Sequence, residues 1–269
     1  MSDTPGNTHP SRKTPEGVVP ALHLLVAAIF PESSTASRNS PYMRTFLTLL
    51  VWTLIATAAL AAPKPPLVLM PKGSEGADSL PVAVWLHGYG ADPSKIITEP
   101  VYQATADRLH IVIVGVFATN EMKDAAYKWS ELPTMDYDQV EESLKTVERE
   151  KHIHFSRKVL FGFSQGACVA AELAVRYPQE FSGAIILSPG GDTRPGPIPT
   201  RPGNEKQTFY LSCGAEEAPG NILYTRAYAK YLSNIGSTVH AREVPGMKDH
   251  TRPPDWPDRF PEWLSDILK

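Results

Sequence analysis

The stretch that decides the fold is FGFSQGA, residues 161–167, in which two glycines flank a single serine at equal spacing. The apolar segment RKVLFGF (157–163) is typical of a buried strand, and QGACVAAELAVRYP (165–178) is typical of a helix. A serine between the two sits on a sharp turn, where side chains two residues before and after it would collide with the adjoining backbone. Gly162 and Gly166 therefore predict a turn that lifts the Ser164 hydroxyl above the edge of a sheet.

Strands and helices alternate along the rest of the chain from Leu67 onward. Such alternation predicts an α/β fold with a mostly parallel central sheet and helices on both faces. Because the composition does not change again after residue 63, we expect a single domain. The predicted strands include LPVAVWLHG (80–88), IVIVGVFA (111–118), GAIILSPGG (183–191), TFYLSCG (208–214) and TVHAREVPG (238–246).

The overall composition is that of an ordinary globular protein. Of 269 residues, 42% are apolar and 20% are charged, and the formal net charge is −3. This balance offers no basic surface for nucleic acid. The two cysteines, Cys168 and Cys213, are too few for a disulfide scaffold or a thiolate metal cluster. Both fall in segments predicted to be buried, which leaves two hypotheses, a pair of core thiols or one bridge between them.

The N-terminal region has the composition of a targeting segment. Residues 1–42 are rich in Ser, Thr, Pro and Asn, and we predict that they are disordered or an over-extended gene start. Residues 43–61 begin with Met-Arg, continue without charge and end in ALA (59–61), which is typical of a signal peptide and its cleavage site. We therefore expect a secreted or periplasmic protein with a mature domain over 62–269. The alternative is a membrane anchor over 46–62, a short span for a bilayer.

A nucleophilic serine needs a base, and His250 is the best candidate. In this fold class the catalytic residues follow the order serine, acid, histidine. His250 is the histidine that lies downstream of Ser164 in a loop after a predicted strand. His240 lies within a predicted strand, and His87, in LHGYG, is more typical of a structural imidazole.

The acid that would orient His250 is left open by the residues themselves. The loop after TFYLSCG (208–214) offers both Glu216 and Glu217. Asp249 is adjacent to the histidine in sequence, and an immediate neighbour is expected to point elsewhere.

The oxyanion hole is predicted from backbone donors. The N–H of Gln165 directly follows the nucleophile, and the N–H of Tyr89 lies in the glycine-containing loop after a predicted strand. Trp129, in AYKWSEL, is interpreted as either a core residue or a substrate-binding wall of the cleft.

No cofactor and no metal are predicted. His152 and His154 form a His-x-His pair without a third ligand nearby, so a zinc site is not expected. The expected partner is a small-molecule or lipid-like ester, without nucleic acid and without a membrane span in the mature chain. The oligomeric state is left open.

Three segments carry a resemblance to a known family, namely LHGYGAD (86–92), KVLFGFSQGACVAAELAVRYPQEFSGAIILSPG (158–190) and GMKDH (246–250). They are similar to the phospholipase/carboxylesterase family of the α/β-hydrolase fold, which includes the acyl-protein thioesterases, over nearly the whole mature domain. The resemblance implies Ser164 as nucleophile, His250 as base, and Tyr89 and Gln165 as oxyanion donors.

Two departures from the family pattern concern the acid and the base. The family usually has Gly-x-x-Asp in the acid loop, whereas this chain has GAEE (214–217), so the resemblance implies Glu217 as the acid. The family often has Gly-Met-x-His, whereas GMKDH (246–250) is one residue longer. An extra loop residue would accommodate the longer glutamate side chain.

The function predicted from these features is a secreted serine carboxylesterase acting through an acyl-enzyme on Ser164. The alternatives are a lysophospholipase or thioesterase, a peptidase related to the prolyl-oligopeptidase group, and a catalytically weak binding protein on a hydrolase fold. The proline-rich segment 190–204 is too short for a large hinged lid. We therefore expect an open cleft that accepts short or medium acyl groups.

Overall fold

Seven strands form the central sheet of the protein, described here from a computed structural model that covers residues 64–91, 93–130, 132–190 and 198–269. The predicted disordered segment 1–42 and signal peptide 43–61 lie outside these residues, as do residues 191–197 of the proline-rich segment 190–204. The strands are β1 Leu67–Leu69, β2 Ser79–Leu86, β3 Val112–Val116, β6 His154–Phe163, β7 Phe181–Leu187, β8 Thr208–Gly214 and β9 Thr238–Val244, with the small pair β4 Asn120–Glu121 and β5 Tyr127–Lys128 outside the sheet.

The sheet is mostly parallel, as the sequence predicts. Its strand order is β1-β3-β2-β6-β7-β8-β9. Only β1 pairs antiparallel within it, with Leu67 opposite Gly115 on β3, whereas the other neighbours run parallel. Parallel strands joined by helices place their carboxyl ends along one edge, so the loops after β2, β6, β8 and β9 meet there.

Helices cover both faces of the sheet, which confirms the predicted fold class. After β2, one short helix ends at Ile97 and a second begins at Pro100. The break falls there because proline is accepted in the first turn of a helix but not in its interior. The helices are α1 Pro93–Ile97, α2 Pro100–Leu109, α3 Pro133–Lys151, α4 Gln165–Arg176, α5 Pro219–Asn234 and α6 Trp256–Ile267.

The apolar core is divided by the sheet into two clusters. On one face, α1, α2 and α6 pack on strand residues that include Trp85 and Phe161, and we call this cluster the α2/α6 core. On the other face, α3, α4 and α5 pack on residues that include Leu86 and Leu160, and we call this cluster the α4 core. Successive residues of a strand point to opposite faces, so each buried strand contributes to both clusters.

The two cysteines lie in the core as thiols. Cys168 is on α4 and Cys213 is on β8, and both side chains are buried and outside any disulfide. The hypothesis of two core thiols therefore describes the structure, and the alternative of a bridge does not.

None of the helices among the described residues is both long and apolar enough to cross a bilayer.

Candidate active site

Ser164 occupies a strained turn between β6 and α4. The strand ends at Phe163 and the helix begins at Gln165, so a single residue makes the change of direction. The Ser164 backbone has φ 55° and ψ −121°, a conformation that residues with a Cβ rarely adopt and that tends to mark functional positions. The turn predicted from the sequence is therefore present, with the serine at its tip.

The two glycines of the motif are required by close backbone contacts. A Cβ on Gly162 would lie 2.2 Å from the carbonyl oxygen of Gly166. A Cβ on Gly166 would lie 2.1 Å from the carbonyl oxygen of Leu86, on the neighbouring strand. Both distances are below any non-bonded contact, so only glycine fits at either position without moving the strand or the helix.

Glu217 is a buried carboxylate immediately after β8. Its side chain is almost fully buried, with 4% of the residue exposed, and it accepts hydrogen bonds on both oxygens. One oxygen accepts from the Ser188 hydroxyl and the Gly214 N–H, each at 3.0 Å. The other accepts from the Asn221 amide at 2.7 Å and from Nδ1 of His250.

These donors keep Glu217 ionised despite its burial. Burial by itself raises the pKa of the carboxyl group, but the hydrogen bonds from His250, the Gly214 N–H, Asn221 and Ser188 outweigh it and lower the pKa below its usual value. The carboxylate therefore accepts a hydrogen bond from the Nδ1–H of His250, which leaves Nε2 of the neutral ring as the nitrogen without a proton.

Glu216 faces away from this network. Its carboxylate lies 3.4 Å from the Lys248 ammonium group on the surface, and half of its side chain is exposed. Of the two acids that the loop offers, the structure brings Glu217 and not Glu216 to the histidine.

His250 is held at the site by Glu217 and by an aromatic neighbour. Its ring lies 4.6 Å from the ring of Phe163, the residue before the nucleophile. Within the part of the chain that the structure describes, Ser164 Oγ makes no hydrogen bond to His250. Catalytic hydrogen bonds of unliganded hydrolases are often formed only in the complex with substrate.

The predicted oxyanion donors flank Ser164. The loop after β2 passes directly over the serine, since a Cβ on Gly88 would lie 3.2 Å from the Ser164 Cβ. The Tyr89 N–H in this loop has no hydrogen-bond acceptor among the described residues. The Gln165 N–H is the first of α4 and has no partner within the helix. Both donors are thus available to an anionic oxygen.

Trp129 is a core residue and not part of the cleft wall, which corrects the substrate-binding interpretation. Only 1% of it is exposed. Its indole N–H donates to the His87 carbonyl oxygen at 2.8 Å, and its backbone N–H donates to Gln165 Oε1 at 3.1 Å. The indole can be buried because the His87 carbonyl oxygen accepts its N–H. Through these two hydrogen bonds Trp129 supports both oxyanion segments, the loop after β2 that carries Tyr89 and the start of α4 that carries Gln165.

His87 has the structural role expected of it. It is fully buried, its Nε2 accepts the Ala118 N–H at 3.1 Å, and its Nδ1 is 2.7 Å from the Gly88 carbonyl oxygen. The described residues contain no group of three or more His, Cys, Asp or Glu side chains that could hold a metal ion.

Sequence reasoning missed two members of the site, Ser188 and Asn221. Ser188 directly follows β7 and has a left-handed backbone with φ 41°, which aims its hydroxyl at Glu217. Asn221 lies in the first turn of α5, with its amide nitrogen also 2.9 Å from His250 Nδ1. The positive φ of Ser188 leaves no mark in the sequence, whereas the spacing of Asn221, four residues after Glu217 at a helix start, is a usable signal.

A cavity of about 840 Å³ borders the site on the side of the α2/α6 core. His250 and Phe163 form one wall. The other walls come from α2, from the loop after His250 and from the first turns of α6.

The strand order, the turn at Ser164 and the two loops that bring Glu217 to His250 define the class of the protein, an α/β-hydrolase. The chain belongs to the phospholipase/carboxylesterase family, whose profile matches residues 74–255, and is a carboxylesterase-like hydrolase.

Solved structures share the fold at low sequence identity. A carboxylesterase from Bacillus cereus is 16% identical, with a TM-score of 0.60 over 79% of this chain and 98% of that chain. Esterase PE8 is 19% identical, with a TM-score of 0.60 over 77% of this chain and all of that chain. FphF, a fluorophosphonate-binding serine hydrolase from Staphylococcus aureus, is 14% identical, with a TM-score of 0.54 over 76% and 92%. No curated protein matches the chain in sequence.

Proposed function

We propose that the protein is a secreted serine carboxylesterase that cleaves carboxylic esters through an acyl-enzyme on Ser164. The observation that carries the proposal is the buried Glu217 carboxylate, hydrogen-bonded to His250 Nδ1 beside the strained serine. An acid in this position holds the imidazole in the tautomer whose Nε2 can take a proton, and it stabilises the imidazolium that forms.

The first half of the proposed reaction acylates the enzyme. His250 Nε2 removes the hydroxyl proton as Ser164 Oγ attacks the ester carbonyl carbon, and the carbonyl electrons move onto oxygen. The N–H groups of Tyr89 and Gln165 hold this oxyanion at the positive end of α4. When the tetrahedral intermediate collapses, the bond to the alcohol oxygen breaks and the leaving alkoxide takes the proton from His250.

The second half returns the free enzyme. Water attacks the acyl carbonyl carbon, His250 takes one of its protons, and the same two N–H groups hold the second oxyanion. Collapse of this intermediate breaks the bond to Ser164 Oγ, which receives the proton back from His250, and the carboxylic acid leaves. No redox step and no cofactor enter this sequence.

Secretion is the other part of the proposal. Residues 43–61 have the pattern of a signal peptide, and export would bring the enzyme to extracellular or periplasmic esters. Acyl-protein thioesterase activity is disfavoured by export, because acylated cytosolic proteins would then be out of reach.

The test is reaction with a fluorophosphonate probe and with p-nitrophenyl esters of increasing acyl length. We expect the wild-type protein to be labelled and to hydrolyse the esters. Ser164→Ala should lose labelling and about 10³-fold or more of kcat/KM, because the remaining oxyanion donors and binding contacts cannot replace the nucleophile. Ser233→Ala, at an exposed position on α5, is the matched control. Hydrolysis that survives Ser164→Ala in a folded protein, or an unlabelled wild type, would refute the proposal.

A further inference from the structure

The cavity has His250 in its lining and lies on one side of the candidate site. Its lining includes Trp85 and Phe163, which belong to the α2/α6 core. The oxyanion segments are supported from the opposite face of the sheet, because Gln165 accepts a hydrogen bond from Trp129, which belongs to the α4 core. The cavity and the support of the oxyanion segments thus lie over different faces of the sheet.

This asymmetry bears on which part of an ester enters the cavity. In the proposed reaction the carbonyl oxygen binds the Tyr89 and Gln165 N–H groups, whereas the alcohol oxygen receives its proton from His250. The alcohol must therefore depart beside the imidazole. His250 and the loop that follows it, Thr251 to Pro253, form a wall of the cavity.

We propose that this cavity binds the alcohol part of the ester and selects bulky, mainly apolar alcohols. The inference rests on the proposed function and adds to it the class of substrate. A volume of about 840 Å³ is in the range that accommodates drug-sized ligands, well beyond what a methyl or ethyl group fills.

The chemistry of the walls fits an apolar group. Most of the lining side chains are aromatic, aliphatic or proline. Three charged side chains also line the cavity. The Arg252 guanidinium contacts the Glu99 carboxylate at 2.6 Å and the Tyr102 hydroxyl at 3.0 Å, and the third, Arg108, is exposed to solvent. Apolar lining residues are Trp85, Pro100, Val101, Phe163, Pro253 and Trp256.

Ala104 offers a way to fill the cavity without disturbing the catalytic residues. It lies on α2 with an exposed side chain and lines the cavity, so Ala104→Trp would project an indole into the space. Ala241→Trp is the matched control, because Ala241 is also exposed but lies on β9 away from the cavity. Ala104→Leu is a smaller second variant, should the tryptophan disturb folding.

The first arm of the experiment uses two series of esters. One series keeps the acetyl group and varies the alcohol from ethyl to benzyl to 2-naphthylmethyl, and the other keeps ethanol and varies the acyl group from acetyl to octanoyl. We expect Ala104→Trp to lower kcat/KM for 2-naphthylmethyl acetate about 10-fold or more, as loss of an apolar pocket does. Ethyl acetate and the acyl series should change less than about threefold.

The second arm measures binding without catalysis. In the Ser164→Ala background, calorimetry should detect binding of 2-naphthylmethanol, and adding Ala104→Trp should weaken it about 10-fold, whereas Ala241→Trp should not. This arm separates the two proposals, because it can succeed in a protein that hydrolyses no ester.

Three results would overturn the inference. Ala104→Trp could lower hydrolysis of the long acyl esters instead of the bulky alcohol esters, which would assign the cavity to the acyl group. Both series could be unaffected in a folded variant, which would place the cavity outside the substrate path. Absence of 2-naphthylmethanol binding to the Ser164→Ala protein would remove the cavity as an alcohol site whatever the outcome for hydrolysis.

Discussion

At the scale of single residues, Glu217 combines burial with a negative charge. A carboxylate with 4% exposure is costly to bury unless it is well hydrogen-bonded, and here four donors surround it. Glutamate is one methylene longer than the aspartate expected from the family pattern. Ser188 and Asn221 donate to the two oxygens of the carboxylate, and His250, at the end of GMKDH (246–250), donates to it as well.

Glu217→Gln and Glu216→Gln should have very different effects. We expect Glu217→Gln to lower kcat by a factor of about 10²–10⁴, because the amide cannot stabilise the imidazolium or fix its tautomer. Glu216→Gln should change kcat only a few-fold, because that side chain is on the surface with Lys248. Initial rates on a p-nitrophenyl ester, with unfolding curves of each variant, measure both. Equal effects, or the larger effect at Glu216, would show that another carboxylate orients the histidine.

The residues of the site were predictable to the extent that they follow local patterns. The turn at Ser164 is encoded by two glycines within five residues, and the candidate base follows from chain order. Ser188 was missed because its contact with Glu217 depends on β7 and β8 being neighbours, which the local sequence does not reveal. Trp129 was ambiguous because an indole near a cleft suits either a wall or the core, and the decision depends on one carbonyl acceptor, that of His87.

At the scale of elements, the apolar pattern predicted the strands of the central sheet but not the short pair β4 and β5. Buried strands such as β3 consist of uninterrupted apolar residues, a pattern visible without a structure. The pair β4 and β5 has two residues in each strand, too few for any period. DYDQVEESLKTVEREK (136–151) is typical of a helix, and α3 begins three residues earlier, at Pro133, because proline in the first turn lacks only an N–H that would be unpaired there.

The first turn of α3 contains a buried acid, Asp136, that should make stability depend on pH. Burial raises its pKa to about 6, even though the Thr119 hydroxyl and the Ser130 N–H donate to it. The folded protein therefore retains this proton to a higher pH than the unfolded chain does, so stability falls as the pH rises from about 4 to above 6. As the pH rises over this range, the free energy of unfolding of Asp136→Asn should therefore increase by up to about 3 kcal/mol relative to that of wild type.

Urea unfolding of both proteins between pH 4 and pH 7 measures the difference in the free energy of unfolding. Asp138→Asn, at an exposed position on the same helix, controls for the general effect of removing an acid and should show no such trend. A difference between Asp136→Asn and wild type that stays constant across the range would mean that the Asp136 carboxyl titrates alike in the folded and unfolded chains.

At the scale of the whole molecule, the chain divides near residue 63. Residues from Lys64 to Lys269 form one compact unit by their internal contacts. The parallel sheet and its helix layers could be predicted from strand–helix alternation, whereas the strand order could not, since it depends on which strands pair at a distance. The sequence prediction of a signal peptide ending at residue 61 concerns the other part of the chain.

A chain that consists of residues 62–269 should fold and hydrolyse esters as the longer chain does. A shorter chain that begins at residue 71 should unfold at a lower temperature, because it lacks β1 and its pairing with Gly115, Val114 and Ile113 of β3. Thermal unfolding and p-nitrophenyl ester hydrolysis of the two chains make the comparison. N-terminal sequencing of native protein from the culture medium or periplasm should give a start near Ala62, whereas an intact Met1 in the membrane fraction would indicate an anchor.

The buried thiols bear on where such a protein can mature. Cys168 and Cys213 are separate buried thiols, so no covalent cross-link has to form before the fold is complete. Oxidoreductases and glutathione buffers, which decide the fate of disulfide-bonded exoproteins, are then irrelevant to assembly. The mature domain should reach the same native state in a reducing bacterial cytosol as outside the cell, which makes ordinary cytoplasmic expression a sound source of active material.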